Sequence, residues 1–200
     1  PHMINPARLV ASASSVYGAE EVQRTYGELV PVAAERVIEI RDEAVIEFAG
    51  RRLRCLDTPG HARHHFSVWD ERSRSFFSGD TFGLSYREFD TDKGAFILPT
   101  STPVQFDPVA LKGSIARMLL YKPEAMFLTH FSRVSDVERL GRDLFEQIDA
   151  MVAIAESSTG LPDRHEFLKQ KLAELYLARA TAHGCTMSPQ RMHELLSSDI

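Results

Sequence analysis

Three polar side chains that follow apolar segments of the chain could together bind a metal ion. His61 ends the tetrapeptide Thr-Pro-Gly-His, Asp80 follows Ser-Gly, and His130 follows Leu-Thr. Each is expected in a tight turn after a strand, where the strand rigidly positions the residue that follows it. Two imidazoles and one carboxylate are a natural ligand set for a borderline divalent cation. The residue types therefore suggest a metal site with His61, Asp80 and His130 as ligands.

The spacing of these residues leaves a structural interpretation open. His61 and Asp80 are 19 residues apart and Asp80 and His130 are 50 residues apart, and no short metal-binding motif has such intervals. A single histidine after a strand is more often a hydrogen-bonded structural residue than a ligand. A Gly-Asp pair by itself indicates a turn. From the residues alone, two hypotheses remain for His61, Asp80 and His130: a metal site and an ordinary structural role.

The pattern of apolar residues predicts a mixed α/β fold. Helical spacing predicts helices near residues 5–17, 20–26, 107–120, 135–157 and 163–181, and from 188 onwards. Short apolar runs predict strands at 37–38, 45–48, 53–56, 65–69, 75–78 and 124–129. The segment 81–106 has no period, but its aromatic residues favour an ordered loop over disorder. We expect one domain over residues 1–158 and a helical appendage over 159–200.

Composition and charge narrow the function classes. The 200 residues include 23 Lys and Arg against 28 Asp and Glu, a net charge of −5, which does not favour a nonspecific nucleic-acid binder. No apolar run approaches the roughly 20 residues that span a bilayer. Two cysteines, Cys55 and Cys185, can form neither a disulfide framework nor a four-thiolate zinc site. We expect a cytoplasmic protein with a small-molecule substrate, no nucleic-acid or membrane partner, and homo-oligomerisation left open.

Three motifs in order resemble the metallo-β-lactamase fold family, and the resemblance covers roughly residues 1–158. They are Thr-Pro-Gly-His at 58–61, Ser-Gly-Asp at 78–80 and Leu-Thr-His-Phe at 128–131. The resemblance implies the C-terminal half of an αββα sandwich from the general bacterial or archaeal metallohydrolase branch. It also implies two divalent metal ions, Zn²⁺ or Fe²⁺, with His61 and His130 as terminal ligands and Asp80 as the bridging, catalytic carboxylate.

One family motif is missing from the sequence. The His-x-His-x-Asp-His segment, which supplies the other ligands in the family, does not occur in the 200 residues. We therefore expect the chain to be part of a longer protein, with a dinuclear site completed by residues outside it. The implied activity is hydrolysis of an ester, thioester or lactone-type bond by a metal-bound hydroxide. Alternatives are a mononuclear-iron persulfide dioxygenase-like or di-iron redox protein of the same fold, or a non-catalytic binding or assembly module.

Residues near the three candidate ligands are predicted to support them. Phe82 and Tyr86 follow the implied bridging aspartate and are expected to contact an apolar part of the substrate, with core packing as the alternative. Thr58 is a candidate to accept a hydrogen bond from the second ring nitrogen of a ligand histidine, with a turn-capping role as the alternative. His65 is a candidate either to support the ligands from behind or to contact the substrate. For His65, a position at the start of a strand favours the alternative of simple packing against the sheet.

Overall fold

Six strands form a single sheet in the computed structural model, which describes residues 2–101, 105–130 and 132–197. Sheet neighbours are also chain neighbours, and every pair is antiparallel except the parallel pair of the fourth and fifth strands. The strands are β1 (Val45–Phe48), β2 (Arg51–Asp57), β3 (Phe66–Asp70), β4 (Ser75–Gly79), β5 (Ala125–Leu128) and β6 (Arg133–Val134). Since β2, β4 and β5 run in the same direction, their last residues lie at one end of the sheet.

Six helices occur in the described part of the chain, as the apolar spacing predicts. They are α1 (Ala7–Tyr17), α2 (Ala19–Tyr26), α3 (Pro108–Leu119), α4 (Val137–Ser157), α5 (Arg164–His183) and α6 (Pro189–Leu196). The mixed α/β class is confirmed. Within the described part of the chain, none of these helices is both long and apolar enough to cross a membrane.

Two corrections concern the strands. The apolar residues Val37 and Ile38 lie outside the sheet, after a short 3₁₀ turn at Ala34–Arg36, although their types favour a strand. Conversely, β6 was not predicted, because two residues are too few to show a period. The chain forms two compact units, Pro1–Ile40 and Arg41–Ile200. The division expected after residue 158 stays a prediction.

The main hydrophobic core lies between one face of the sheet and α3 and α4. Phe76 and Met126 are fully buried there and belong to one cluster with Ile115 and Leu144 from the two helices. Because side chains alternate along a strand, Phe77 lies on the opposite face, where it is 47% exposed. The helices therefore cover one face of the sheet and leave half-exposed aromatic side chains on the other.

A second core joins the long loop after β4 to the last two helices. Leu84 and Leu98 exchange backbone hydrogen bonds of 2.9 Å across the loop. Their side chains and two loop phenylalanines pack against α5 and α6, in a buried cluster of Leu84, Phe89, Phe96, Leu98, Tyr176, Ala180, Met192 and Leu196. The expectation of an ordered rather than disordered loop is confirmed, and α5 and α6 hold it in place.

The turn at the other end of the β3–β4 hairpin is held by a buried carboxylate. Asp70 is fully buried and accepts hydrogen bonds from the Arg51 guanidinium, the Ser73 hydroxyl and the Arg72 backbone N–H. The Arg51 hydrogen bond is the largest cause that lowers the pKa of Asp70 to about 2. The ionised form of Asp70 is therefore the one that stabilises the fold.

We predict that the Asp70 contribution to stability disappears in acid. The folded pKa of about 2 lies below the unfolded value of about 3.9. The stabilisation is therefore complete above about pH 4 and is lost as the pH falls towards about 2. The free energy of unfolding of wild type and Asp70→Asn, measured across this range, should differ at neutral pH and converge in acid. Asp92→Asn, on the exposed loop, is the control, and a pH-independent difference for Asp70→Asn would contradict the prediction.

Candidate metal centre

The three predicted ligands meet at the end of the sheet where β2, β4 and β5 finish. The Asp80 carboxylate lies between the two histidines, with Oδ2 at 3.6 Å from His61 Nε2 and Oδ1 at 3.5 Å from His130 Nε2. Gly79 pairs with Leu128 in the parallel β4–β5 ladder. Asp80 and His130 therefore follow neighbouring positions of adjacent strands. His61 comes from the loop that follows β2.

The site is open on the side of His130. The side chain of His130 is 53% exposed, against 26% for Asp80 and 16% for His61. Asp80 Oδ1 is itself buried and accepts no hydrogen bond from the residues that the structure describes. A buried carboxylate oxygen without a donor is costly, and a cation placed between the two histidines would offset that cost.

The ligand atoms of the three residues are of the types that bind divalent cations, but they are too few for a complete site. Two imidazole nitrogens and a carboxylate suit zinc or iron. A structural or catalytic zinc site, however, commonly has three or four protein ligands for each ion. In the described ranges, no group of three or more His, Cys, Asp or Glu side chains is arranged to hold a metal ion by itself. The three residues could therefore supply only part of a ligand set, and metal binding by them stays a prediction.

Helix α3 holds the loop that carries His61. Gly60 has a φ of +131°, and a Cβ at this position would lie 2.3 Å from the backbone N and Cα of Leu111. Ser114 donates its hydroxyl to the carbonyl of Pro59 at 2.7 Å. The Asp107 N–H donates to the Gly60 carbonyl at 2.8 Å, while the Asp107 side chain caps α3 as predicted. The His61 loop is therefore fixed by close backbone packing against the first turns of α3.

Hydrogen bonds on both sides fix the main chain of Asp80. Its N–H donates to His65 Nε2 at 2.9 Å, and its carbonyl accepts from the Thr100 hydroxyl at 2.6 Å. Gly79 has a φ of +53°, and a Cβ there would lie 2.4 Å from the His65 ring. The ring and the strand end are therefore in direct contact. Burial lowers the pKa of His65, although the nearby Asp80 carboxylate acts in the opposite direction.

Two threonines complete the polar network behind Asp80. Thr58 is fully buried, and its hydroxyl lies 2.9 Å from Ser67 Oγ and 3.2 Å from His65 Nδ1. Thr81 Oγ1 lies 2.9 Å from the same ring nitrogen and donates to the Thr58 carbonyl at 3.1 Å. The structure thus places Thr58 and His65 beside Asp80, while their role as supports for metal ligands stays a prediction. Sequence reasoning missed Thr81 and Thr100, although Thr81 directly follows Gly-Asp.

The two predicted substrate contacts are placed differently. Phe82 is fully buried and belongs to the main hydrophobic core, which favours the packing alternative for this side chain. Tyr86 is half-buried and packs against the second core, with its ring centroid 6.1 Å from that of Phe89. A substrate contact stays a prediction for both residues, and of the two only Tyr86 retains exposed surface.

The sheet topology, with histidines and a carboxylate grouped after parallel strand ends, is the arrangement of a metallo-β-lactamase-like α/β protein. The sequence profile of the metallo-beta-lactamase superfamily matches residues 5–130. The chain belongs to this superfamily, as the three sequence motifs imply.

Individual relatives agree with this assignment. The chain is 31% identical over 129 residues to the metallo-beta-lactamase fold-containing protein ST1585 of Sulfurisphaera tokodaii, a match that covers 64% of this chain and 45% of ST1585. The crystal structure of ST1585, described as from Sulfolobus tokodaii, has a TM-score of 0.59 at 27% identity and covers 88% of this chain and 63% of that one. TTHA1429 from Thermus thermophilus has a TM-score of 0.55 at 20% identity, with 91% and 60% covered, and shows the fold alone. In the sequence match to ST1585, the chain spans less than half the length of that curated relative.

We predict that an added methyl group at Gly60 destabilises the chain, whereas the same change on α3 does not. Gly60→Ala should cost about 1–3 kcal/mol, because its Cβ would collide with the backbone at Leu111 in a strained conformation. Gly113→Ala is the matched control: a Cβ there meets nothing within 4 Å, and it should stabilise the helix by about 0.5–1 kcal/mol. Urea unfolding measures both free energies, and equal effects of the two substitutions would contradict the packing argument.

Proposed function

We propose that His61, Asp80 and His130 contribute to a divalent-metal site of a hydrolase that acts on ester, thioester or lactone-type bonds. The remaining ligands would come from residues outside this chain. The observation that carries the proposal is the Asp80 carboxylate, which directs one oxygen towards His61 at 3.6 Å and the other towards His130 at 3.5 Å. Membership of the metallo-beta-lactamase superfamily supports the reaction class.

Each side chain has a distinct part in this proposal. Asp80 would bridge two cations, because each of its oxygens faces a different histidine. His61 and His130 would act as neutral ligands through Nε2, the ring atom that each presents to Asp80. Divalent cations bound there would polarise the substrate carbonyl and lower the pKa of a coordinated water.

The difference in exposure between the two histidines indicates the side from which a substrate would approach. The side chain of His61, which follows the Thr-Pro-Gly segment, is mostly buried, whereas that of His130 is half exposed. The substrate would therefore approach from the side of His130. Hydrogen bonds from Thr100 and to His65 would keep Asp80 in place while the substrate binds.

We predict that removal of any one of the three side chains depletes the metal. In the complete protein, His61→Ala, His130→Ala and Asp80→Asn should each weaken metal affinity by at least about 100-fold, since even residues that only orient ligands contribute 10- to 100-fold. Hydrolysis of thioester or lactone substrates should fall with the metal content. Elemental analysis gives the metal-to-protein ratio, and His165→Ala, on an exposed position of α5, is the control.

The same measurements separate the alternatives. Stoichiometric metal in both histidine variants would disprove the ligand assignment. Full hydrolytic activity of Asp80→Asn without bound metal would disprove the mechanism. Iron rather than zinc in the wild-type protein would favour the dioxygenase-like or redox alternatives. A folded wild-type protein without metal or hydrolytic activity would favour a binding or assembly module.

A further inference from the structure

The sequence places three histidines within five residues, His61, His64 and His65, and the third contacts the candidate centre without facing it as a ligand. We propose that His65 is a positioning residue: its neutral imidazole binds the main chain of Asp80 and so directs the Asp80 carboxylate towards His61 and His130. This inference rests on the proposed function. It assigns to His65 a hydrogen-bonding role that excludes metal ligation.

The proton positions in the network follow from its donors. The Asp80 N–H can only donate, so His65 Nε2, at 2.9 Å, must be the unprotonated ring nitrogen. The ring proton is therefore on Nδ1, where Thr81 Oγ1 at 2.9 Å is the nearer acceptor. Thr81 in turn donates its own hydroxyl proton to the Thr58 carbonyl. This arrangement gives both ring nitrogens of His65 a hydrogen-bond partner, and it leaves neither of them available to a metal.

The geometry explains how a main-chain contact directs a side chain. The N–H of Asp80 is held by His65, and its carbonyl is held by Thr100 at 2.6 Å. With both flanking peptide groups fixed, the direction of the Cα–Cβ bond is fixed as well. The absence of a side chain at Gly79 lets the His65 ring approach, since a Cβ would lie 2.4 Å from Nε2. The carboxylate therefore needs only its side-chain torsions to face both histidines.

The protonated nitrogen of His65 is directly measurable. Long-range ¹H–¹⁵N correlation spectra of the wild-type chain without added metal should show a neutral ring with the proton on Nδ1 and an unprotonated Nε2 that accepts a hydrogen bond. A proton on Nε2 would overturn the proposal, because that nitrogen could no longer accept from the Asp80 N–H. This result does not depend on metal binding, so it tests His65 even if the proposed function fails.

Two variants separate positioning from ligation and from packing. In His65→Gln the amide oxygen can reach the position of Nε2 and accept from Asp80, whereas in His65→Asn the shorter amide can reach only the threonines. Titration of the complete protein with Co²⁺, followed by its visible absorption, should show about 10- to 100-fold weaker binding for the Asn variant and less than about tenfold for the Gln variant. Circular dichroism confirms that each variant is folded.

Other relative Co²⁺ affinities of the Gln and Asn variants contradict the proposal. Equal, severe losses in both variants would indicate that His65 is a ligand, and wild-type affinity in a folded His65→Asn would indicate simple packing. Thr100→Val removes the hydroxyl that donates to the Asp80 carbonyl and should weaken Co²⁺ binding to a similar extent as His65→Asn. If His65→Asn does not fold, Thr100→Val tests the positioning argument in its place. Failure of wild type itself to bind Co²⁺ would disprove the proposed function and leave the ring-proton measurement to decide on His65.

Discussion

The parallel pairing of β4 with β5 is the constraint on which the candidate site depends. Antiparallel neighbours would place the residues that follow them at opposite ends of the sheet. In the observed ladder Gly79 is opposite Leu128, so the next residues of both strands emerge together. A parallel pair needs a long crossover connection. In this chain the connection between β4 and β5 consists of the long loop that begins at Asp80, followed by α3. Helix α3 in turn fixes the loop that carries His61.

The long loop between β4 and α3 connects the candidate site to the last two helices, because the loop begins at Asp80 and packs against α5 and α6. A loop of this length with so little regular structure requires packing partners, because its backbone ordering costs entropy. Four of its apolar side chains are buried with residues of α5 and α6, whereas Phe82 is buried in the main core. Gln147 of α4 donates to the Ile97 carbonyl at 2.9 Å and adds a buried polar contact. Helices that the sequence presents as an appendage thus stabilise the loop that starts at Asp80.

The sequence predicted the helices and strands better than the hydrogen-bond network around Asp80. β5 is a continuous apolar run with a clear pattern, whereas β6 has two residues and shows none. Val37 and Ile38 favour a strand by type, but strand formation requires a partner, which composition does not reveal. The grouping of His61, Asp80 and His130 was accessible only through motifs shared with a family, because their spacing carries no period. Thr81 and Thr100 were missed because a hydroxyl that binds a distant main-chain atom leaves no local pattern.

Two aspartates of the same hairpin show how the surroundings of a carboxylate separate a structural role from a proposed functional one. Asp70, beside the β3–β4 turn, is paired with the Arg51 guanidinium, and its charge is neutralised within the chain. Asp80, at the opposite end of the hairpin, forms no ion pair with lysine or arginine in the described residues, and the Nε2 atoms of His61 and His130 lie 3.6 and 3.5 Å from its carboxylate oxygens. The groups that hold its main chain, His65 and Thr100, bind its N–H and its carbonyl and leave the carboxylate untouched. A carboxylate that no lysine or arginine pairs with is suited to a cation bound between two imidazoles, and that is the role proposed for Asp80.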